Sequence, residues 1–234
     1  MNTQLAKDII ATITYYDVLD YPLTLFEIWK YRICAENGDC HAPAPVSLED
    51  IATCCRHRSV QKYVSCRNGM YVLCGREHLI SVRKDREIIS LQKIKKLRRM
   101  IAFLRISPFV RMVCVTGRLA YNNCEKDSDL DVLIVYEKGH IWTGRFLMTV
   151  LAHVCGVRRH GKKTTDRLCL NYHVTTASLE VPTQDLFGAH EYAWTFPVFD
   201  AGDIFAQFCA KNMWIAQYKP QYACEDTKSK NFAQ

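Results

Sequence analysis

The chain has 234 residues, 49% of them hydrophobic and 24% charged, with a formal net charge of +7. This mixture excludes a disordered or fibrous chain and supplies enough apolar groups for a core, in one large domain or two small ones. No apolar run reaches the roughly 18 residues that span a bilayer, and Met1-Asn2-Thr3-Gln4-Leu5-Ala6-Lys7-Asp8 lacks the basic-then-apolar layout of a signal peptide, so a soluble, cytoplasmic chain without a membrane partner is expected.

The first elements read as helical. Leu5, Ile9, Ile10, Ile13 and Val18 are the apolar positions of an amphipathic helix over residues 4–18. Asp20-Tyr21-Pro22-Leu23-Thr24 breaks it. Thr24 with Glu27 forms a capping box for a second helix to about Cys34. Residues 35–46, with Gly38, Pro43 and Pro45, read as a loop. Ser47, with Asp50 three residues on, caps a third helix. Two β-like runs follow, Val60–Ser65 and Met70–Cys74, joined by Cys66-Arg67-Asn68-Gly69, and Asn-Gly is a strong hairpin signal. Three helices and a hairpin are the outline of a winged helix, predicted over residues 1–77.

Residues 78–107 read as a connecting basic helix, with Ile88, Leu91, Ile94, Leu97, Ile101 and Leu104 at spacings of three or four. Its cations are Arg83, Lys84, Arg86, Lys93, Lys95, Lys96, Arg98 and Arg99. A second basic run holds Arg158, Arg159, His160, Lys162, Lys163 and Arg167. Such runs attract phosphate-bearing partners, although a solvated face explains them as well. The twelve cysteines include no C-x-x-C pair. Cys34, Cys40, His41, Cys54, Cys55 and His57 match no usual zinc spacing, and the cysteines read as reduced, mostly buried small apolar residues.

After Pro108 the pattern changes. Phe109–Thr116 reads as a strand, Leu119-Ala120-Tyr121 as a helix start, Asp129–Tyr136 as a strand, Trp142–Cys155 as a helix and Leu168–Thr175 as a strand. The rest, through Trp214, reads as aromatic and mostly helical. The chain is polar from residue 219, and 221–234 reads as a frayed tail. The fold class expected is α+β, with residues 108–220 forming the second domain.

The chemistry sits between two of these strands. Asp129 and Asp131 are two apart at a strand head, so their side chains leave the same face. Neighbouring carboxylates are costly unless a cation sits between them, and oxygen ligands suit Mg²⁺. Gly117, where a strand feeds a helix, offers backbone N–H groups to phosphate. Either feature alone is ordinary, because Asp often begins strands as a turn former. Their ordered combination is more specific.

The segment Gly117-Arg118, Leu119-Ala120-Tyr121, then Ser128-Asp129-Leu130-Asp131 resembles the signature of DNA polymerase beta-like nucleotidyltransferases. The wider order resembles a group of bacterial and archaeal nucleotidyltransferase-domain proteins with an N-terminal winged helix. Tyr16-Asp17…Tyr21-Pro22-Leu23-Thr24, Gly139…Trp142…Arg145, Gly161-Lys162-Lys163 and Leu168-Cys169-Leu170-Asn171 carry that likeness over residues 5–220. The resemblance implies a small mixed sheet, Mg²⁺, and transfer of a nucleotidyl group from a nucleoside triphosphate to an acceptor hydroxyl. The acceptor is a nucleic acid, a protein or a small molecule.

In that reading Asp129 and Asp131 hold the metal and are catalytic, and Asn171 is a weak further ligand. Gly117 and Arg118 contact the triphosphate, Ser128 orders the turn, and Lys162 or Lys163 neutralises phosphate charge. Two positions depart from the pattern. Arg118 stands where the family has Ser, and the polar face of Leu168–Thr175 offers Cys169, Asn171, His173 and Thr175 but no acid. His173 is a possible base, and Glu137, Asp166 and Glu180 are possible substitutes for the missing acid. The alternative reading is a catalytically degenerate chain whose winged helix binds DNA or protein. Residues 47–57 would then be its recognition helix, with Arg56, His57 and Arg58 near its end.

Overall fold

The computed structural model describes residues 3–34 and 46–222. It is an α+β protein with two small sheets, and its chain divides into two compact units. The first comprises the chain to Asp85 together with Gln184–Ala193 and the segment from Trp214; the second holds Arg86–Thr183 and Trp194–Met213. The linear reading places Gln184–Ala193 and residues 214–220 within 108–220, whereas their contacts group them with the first unit. No helix among the described residues is long and apolar enough to cross a membrane.

The first unit begins with α1 (Thr3–Val18), β1 (Leu23–Thr24) and α2 (Leu25–Lys30). Both arms of the Thr24–Glu27 capping box are present, and Tyr31 ends α2 three residues before the expected stop. After the segment 35–45 come α3 (Leu48–Cys55), α4 (Arg58–Gln61), β2 (Val64–Arg67) and β3 (Met70–Leu73). The Ser47–Asp50 box opens α3 as expected. The first β-like run is shorter than expected because Val60 belongs to α4, which the His57 ring caps by accepting from Ser59 N at 3.3 Å. The hairpin loop is only Asn68-Gly69, both at positive φ, the backbone that Asn-Gly readily adopts. β3 lies between β1 and β2, antiparallel to each.

The thiol expectation needs one correction. Nine described cysteines are free thiols, with Cys54 and Cys55 buried. Cys34, however, is disulfide-bonded, because bond formation follows from two sulfurs meeting in the fold, which spacing does not reveal. Cys40 and His41 of the zinc spacing lie outside the described residues, as does most of the tail.

Lys219, which the sequence places at the start of the polar end, is completely buried. Its ammonium lies 5.3 Å from the Tyr16 ring centroid, 5.8 Å from that of Tyr15 and 6.0 Å from that of Tyr31. It also donates to the Tyr31 carbonyl at 3.3 Å. Burial depresses its pKa from 10.5 to about 7. The unfolded chain therefore holds one more proton than the folded chain between those values, and stability rises with pH across that window. His190, depressed from 6.5 to about 3 by burial and then by Lys219, acts in the same direction over its own, lower window. Thermal melts between about pH 7.5 and 9.5 should show rising stability, and Lys219→Met should flatten the rise. An unchanged slope in the variant would refute the assignment.

The second unit takes most of α5 (Leu79–Leu104), then β4 (Val110–Val115), α6 (Gly117–Ala120), β5 (Leu130–Tyr136), α7 (Ile141–Val154) and β6 (Leu168–Thr175). After α8 (Leu186–Trp194) come β7 (Phe196–Asp200) and α9 (Ile204–Lys211). The sheet order is β6-β5-β4-β7, with β5 and β6 parallel and the other pairs antiparallel. It is a small mixed sheet, as expected.

One face of this sheet carries Leu130, Val132, Ile134 and Tyr136, which meet Leu97, Ile101 and Leu104 of α5 and Met148 and Ala152 of α7 in the core. Gly144 lets α7 approach the sheet, since a Cβ there would lie 2.3 Å from the Tyr136 ring. The sequence does not announce β7, because Pro197 interrupts its run. At the sheet edge, beside an irregular register, a missing N–H is tolerated.

Candidate metal centre

β5 leaves the turn 125–129 with Asp129 just before its first residue and Asp131 at its second. The turn is tied at several points. Ser128 Oγ accepts from Glu125 N at 2.9 Å. The Ser128 carbonyl accepts from Lys93 Nζ at 2.8 Å, and the same ammonium reaches the Lys126 carbonyl at 3.0 Å and Asp166 at 2.7 Å. Lys96 also reaches Asp166, at 2.9 Å. Burial alone would raise the Asp166 carboxyl, but these two ammonium groups outweigh it and hold it below the usual range.

Half of the basic run on α5 is thus paired within the fold, while Lys84, Lys95, Arg98 and Arg99 are exposed. Arg83 pairs with Glu27 and Arg86 with Glu125, in addition to the bonds of Lys93 and Lys96.

Across from Asp131 in the parallel register stands Cys169. Ligand atoms of Asp129, Asp131 and Cys169 all lie within 4.8 Å of one another. The register between β5 and β6 shifts after Val132, leaving Asn171 as an extra residue between the partners of Val132 and Leu133. Such a bulge re-aims a side chain. Asn171 Nδ2 donates to Asp131 Oδ1 at 3.1 Å, and Cys169 Sγ lies 3.5 Å from Asn171 Oδ1. Asn171 is thereby placed beside Asp131, although the cluster of possible ligand atoms is Asp129, Asp131 and Cys169.

Gly117 forms the wall beside Asp131. It has φ +61, and a Cβ there would lie 2.7 Å from Asp131 Oδ2. Its absent side chain makes room for the carboxylate. The expected helix dipole is weak, because α6 is a single turn of four residues and a macrodipole needs summed peptide units.

The cations near the site are placed in two ways. Arg118 pairs with Glu125 at 3.0 Å, with its side chain 45% exposed. Lys162 and Lys163 are exposed in the turn beyond Arg159, and no described hydrogen bond or ion pair joins either side chain to the acids. Arg159 does reach them, with Nη1 at 2.5 Å from Asp129 Oδ2 and 3.6 Å from Cys169 Sγ. Sequence reading places Arg159 only within a basic run. What positions it is the chain folding back on the start of β6, where Arg159 N donates to the Leu168 carbonyl at 2.9 Å.

Of the candidate substitutes for a third acid, Glu137 pairs with Arg111 and Asp166 with Lys93 and Lys96. Neither they nor Glu180 belongs to the cluster. His173 pairs in register with Ile134, on the face opposite Asp131. It stacks on Tyr136, and burial followed by the Arg145 charge holds its pKa down near 4. It is not placed to act as base for the acid pair.

Burial raises the Asp131 carboxyl above the usual range and Asp129 adds to this, while the Cys169 thiol and Arg159 partly offset it. The Cys169 thiol is itself pushed up to about 11, by burial and then by Asp131. A hard cation fits this donor set through its oxygens, and a neutral thiol is a poor ligand for it. Ligand oxygens of Asp129 and Asp131 lie within 4.8 Å of each other, close enough for one ion to be shared after side-chain adjustment.

No family model, curated protein or solved structure matches this chain.

Proposed function

We propose that the chain is a DNA polymerase beta-like nucleotidyltransferase that moves a nucleotidyl group from a triphosphate to an acceptor hydroxyl. The observation carrying this reading is the convergence of Asp129 and Asp131, at the start of β5, with the Asn171 amide of the parallel strand β6, against a glycine turn. Asp129 and Asp131 would hold Mg²⁺, and Asn171 would orient Asp131. Bound Mg²⁺ supplies charge neutralisation and Lewis acidity at the phosphoryl centre. Lys93 and Ser128 hold the turn so that the carboxylates are in place beforehand, which is how positioning lowers the barrier. Lys162 and Lys163 add positive potential where phosphates would approach.

We read the first unit as a winged helix on its order α1-β1-α2-α3-α4-β2-β3, with β3 central in the sheet and Asn68-Gly69 as the wing tip. A second reading is favoured by the Arg159–Asp129 pair, in which a built-in cation neutralises an acid. In that reading the chain is degenerate and its winged helix binds DNA or protein.

Thermal shift separates the two readings. The transferase should be stabilised by at least one of the four nucleoside triphosphates, and only with Mg²⁺ present. No shift with any of them, together with salt-dependent duplex binding, would favour the regulator.

A further inference from the structure

Arg159 approaches the acids from a segment whose backbone is already fixed. Its N–H is bonded to the Leu168 carbonyl, and Arg158 bridges to Leu168. Only the side chain is left to move, and it is 47% exposed, against 19% for Asp129. The two acids are held differently. Asp131 is bonded by Asn171 and walled by Gly117. Asp129 has the exchangeable partner. Arg118, on α6, is engaged by Glu125.

We propose that Arg159 is a displaceable counter-ion. It occupies Asp129 while no divalent ion is bound, and passes to the phosphates of an incoming triphosphate when an ion takes Asp129. The inference rests on the transferase reading and specifies how that site is controlled.

The physical argument is competition followed by transfer. A guanidinium and a divalent ion repel at contact distance, so they do not share one carboxylate oxygen. A bare ion must displace Arg159 with no new acceptor for it. A triphosphate arriving with the ion brings phosphate oxygens into the ion's own coordination sphere, within a side-chain swing of Asp129. Guanidinium suits that contact because its planar fork pairs two phosphate oxygens at once. Ion and triphosphate should then each strengthen binding of the other, and the pair Arg159–Asp129 is the two-position element that links them.

The test uses the full chain, with Mn²⁺ as the probe, followed by its paramagnetic resonance signal. It is titrated alone and then with each of the four ribonucleoside triphosphates. Arg159→Gln is expected to bind Mn²⁺ alone roughly fivefold tighter, since an exposed pair is lost, and to bind triphosphate with Mn²⁺ about tenfold more weakly, since a charge-assisted contact is lost. Arg159→Lys should move both in the same directions by less. The opposite signs are the signature, because a purely structural role would weaken both. Weaker binding of Mn²⁺ alone by the Gln variant, or no change in either titration, overturns the counter-ion while leaving the acid pair as a metal site. No Mn²⁺ binding by either protein overturns the transferase reading as well.

Discussion

Replacing Asp129 and Asp131 together by Asn is expected to reduce Mg²⁺-dependent nucleotidyl labelling by roughly 10³-fold or more, about 4 kcal/mol of transition-state stabilisation. The same variant should be no less stable than the parent. Burial and Asp129 raise the Asp131 carboxyl. A raised acid pKa means that its charged form is disfavoured in the folded chain. Asn171 donates its amide N–H to Asp131 at 3.1 Å, and the amide oxygen introduced by Asp131→Asn can still accept it. The Asp129 bond that is lost runs to the half-exposed Arg159, where solvent screens the pair. Activity and stability should thus separate, as they do where a site stores like charge for function. Labelling of cell extract with each nucleotide, set beside denaturant melts, reads both quantities. Labelling equal to that of the parent, or a collapse in stability, would defeat the assignment.

Lys93→Met is expected to lose about 2–4 kcal/mol of stability, because removing one partner of a buried ion pair leaves the others unsatisfied. Lys93 is 4% exposed and donates to two carbonyls and a carboxylate. Met fills much of the volume but donates nothing. Asp166 is partly exposed and keeps Lys96, which limits the loss. Lys95, exposed on the same helix, is the control, and Lys95→Met should change stability by no more than about 0.5 kcal/mol. Equal denaturation midpoints for the two variants would show that the buried ammonium does not hold the turn.

What is legible in the sequence is local. The Thr24–Glu27 and Ser47–Asp50 boxes, the Asn68-Gly69 turn and the strand carrying Asp131 each depend on neighbours a few residues away, and all are present. What escapes depends on register and return. The Asn171 bulge decides that Asn171 meets Asp131 while His173 turns to the other face. A strict alternation along β6 would place 169, 171 and 173 together. Arg159 is visible as a charge but not as a partner, because the fold-back through Gly161 and Asp166, both at positive φ, brings it to Asp129. Val60 reads as strand from its branched side chain, yet its place in α4 is set by the His57 cap that opens that helix.

The path of the chain has a consequence for how the protein is made. The first unit is interrupted, since its last parts are Gln184–Ala193 and the segment from Trp214. Buried Lys219 and His190 both meet Tyr16 of the first helix, at 3.4 Å and 3.2 Å. During synthesis residues 1–85 therefore emerge long before the residues that complete their interior, and folding of this unit must wait until the segment from Trp214 has left the ribosome. A fragment ending at Asp85 would expose the tyrosine cluster that those late residues cover. This unit is not a portable module that can be cut out at a linker and grafted elsewhere.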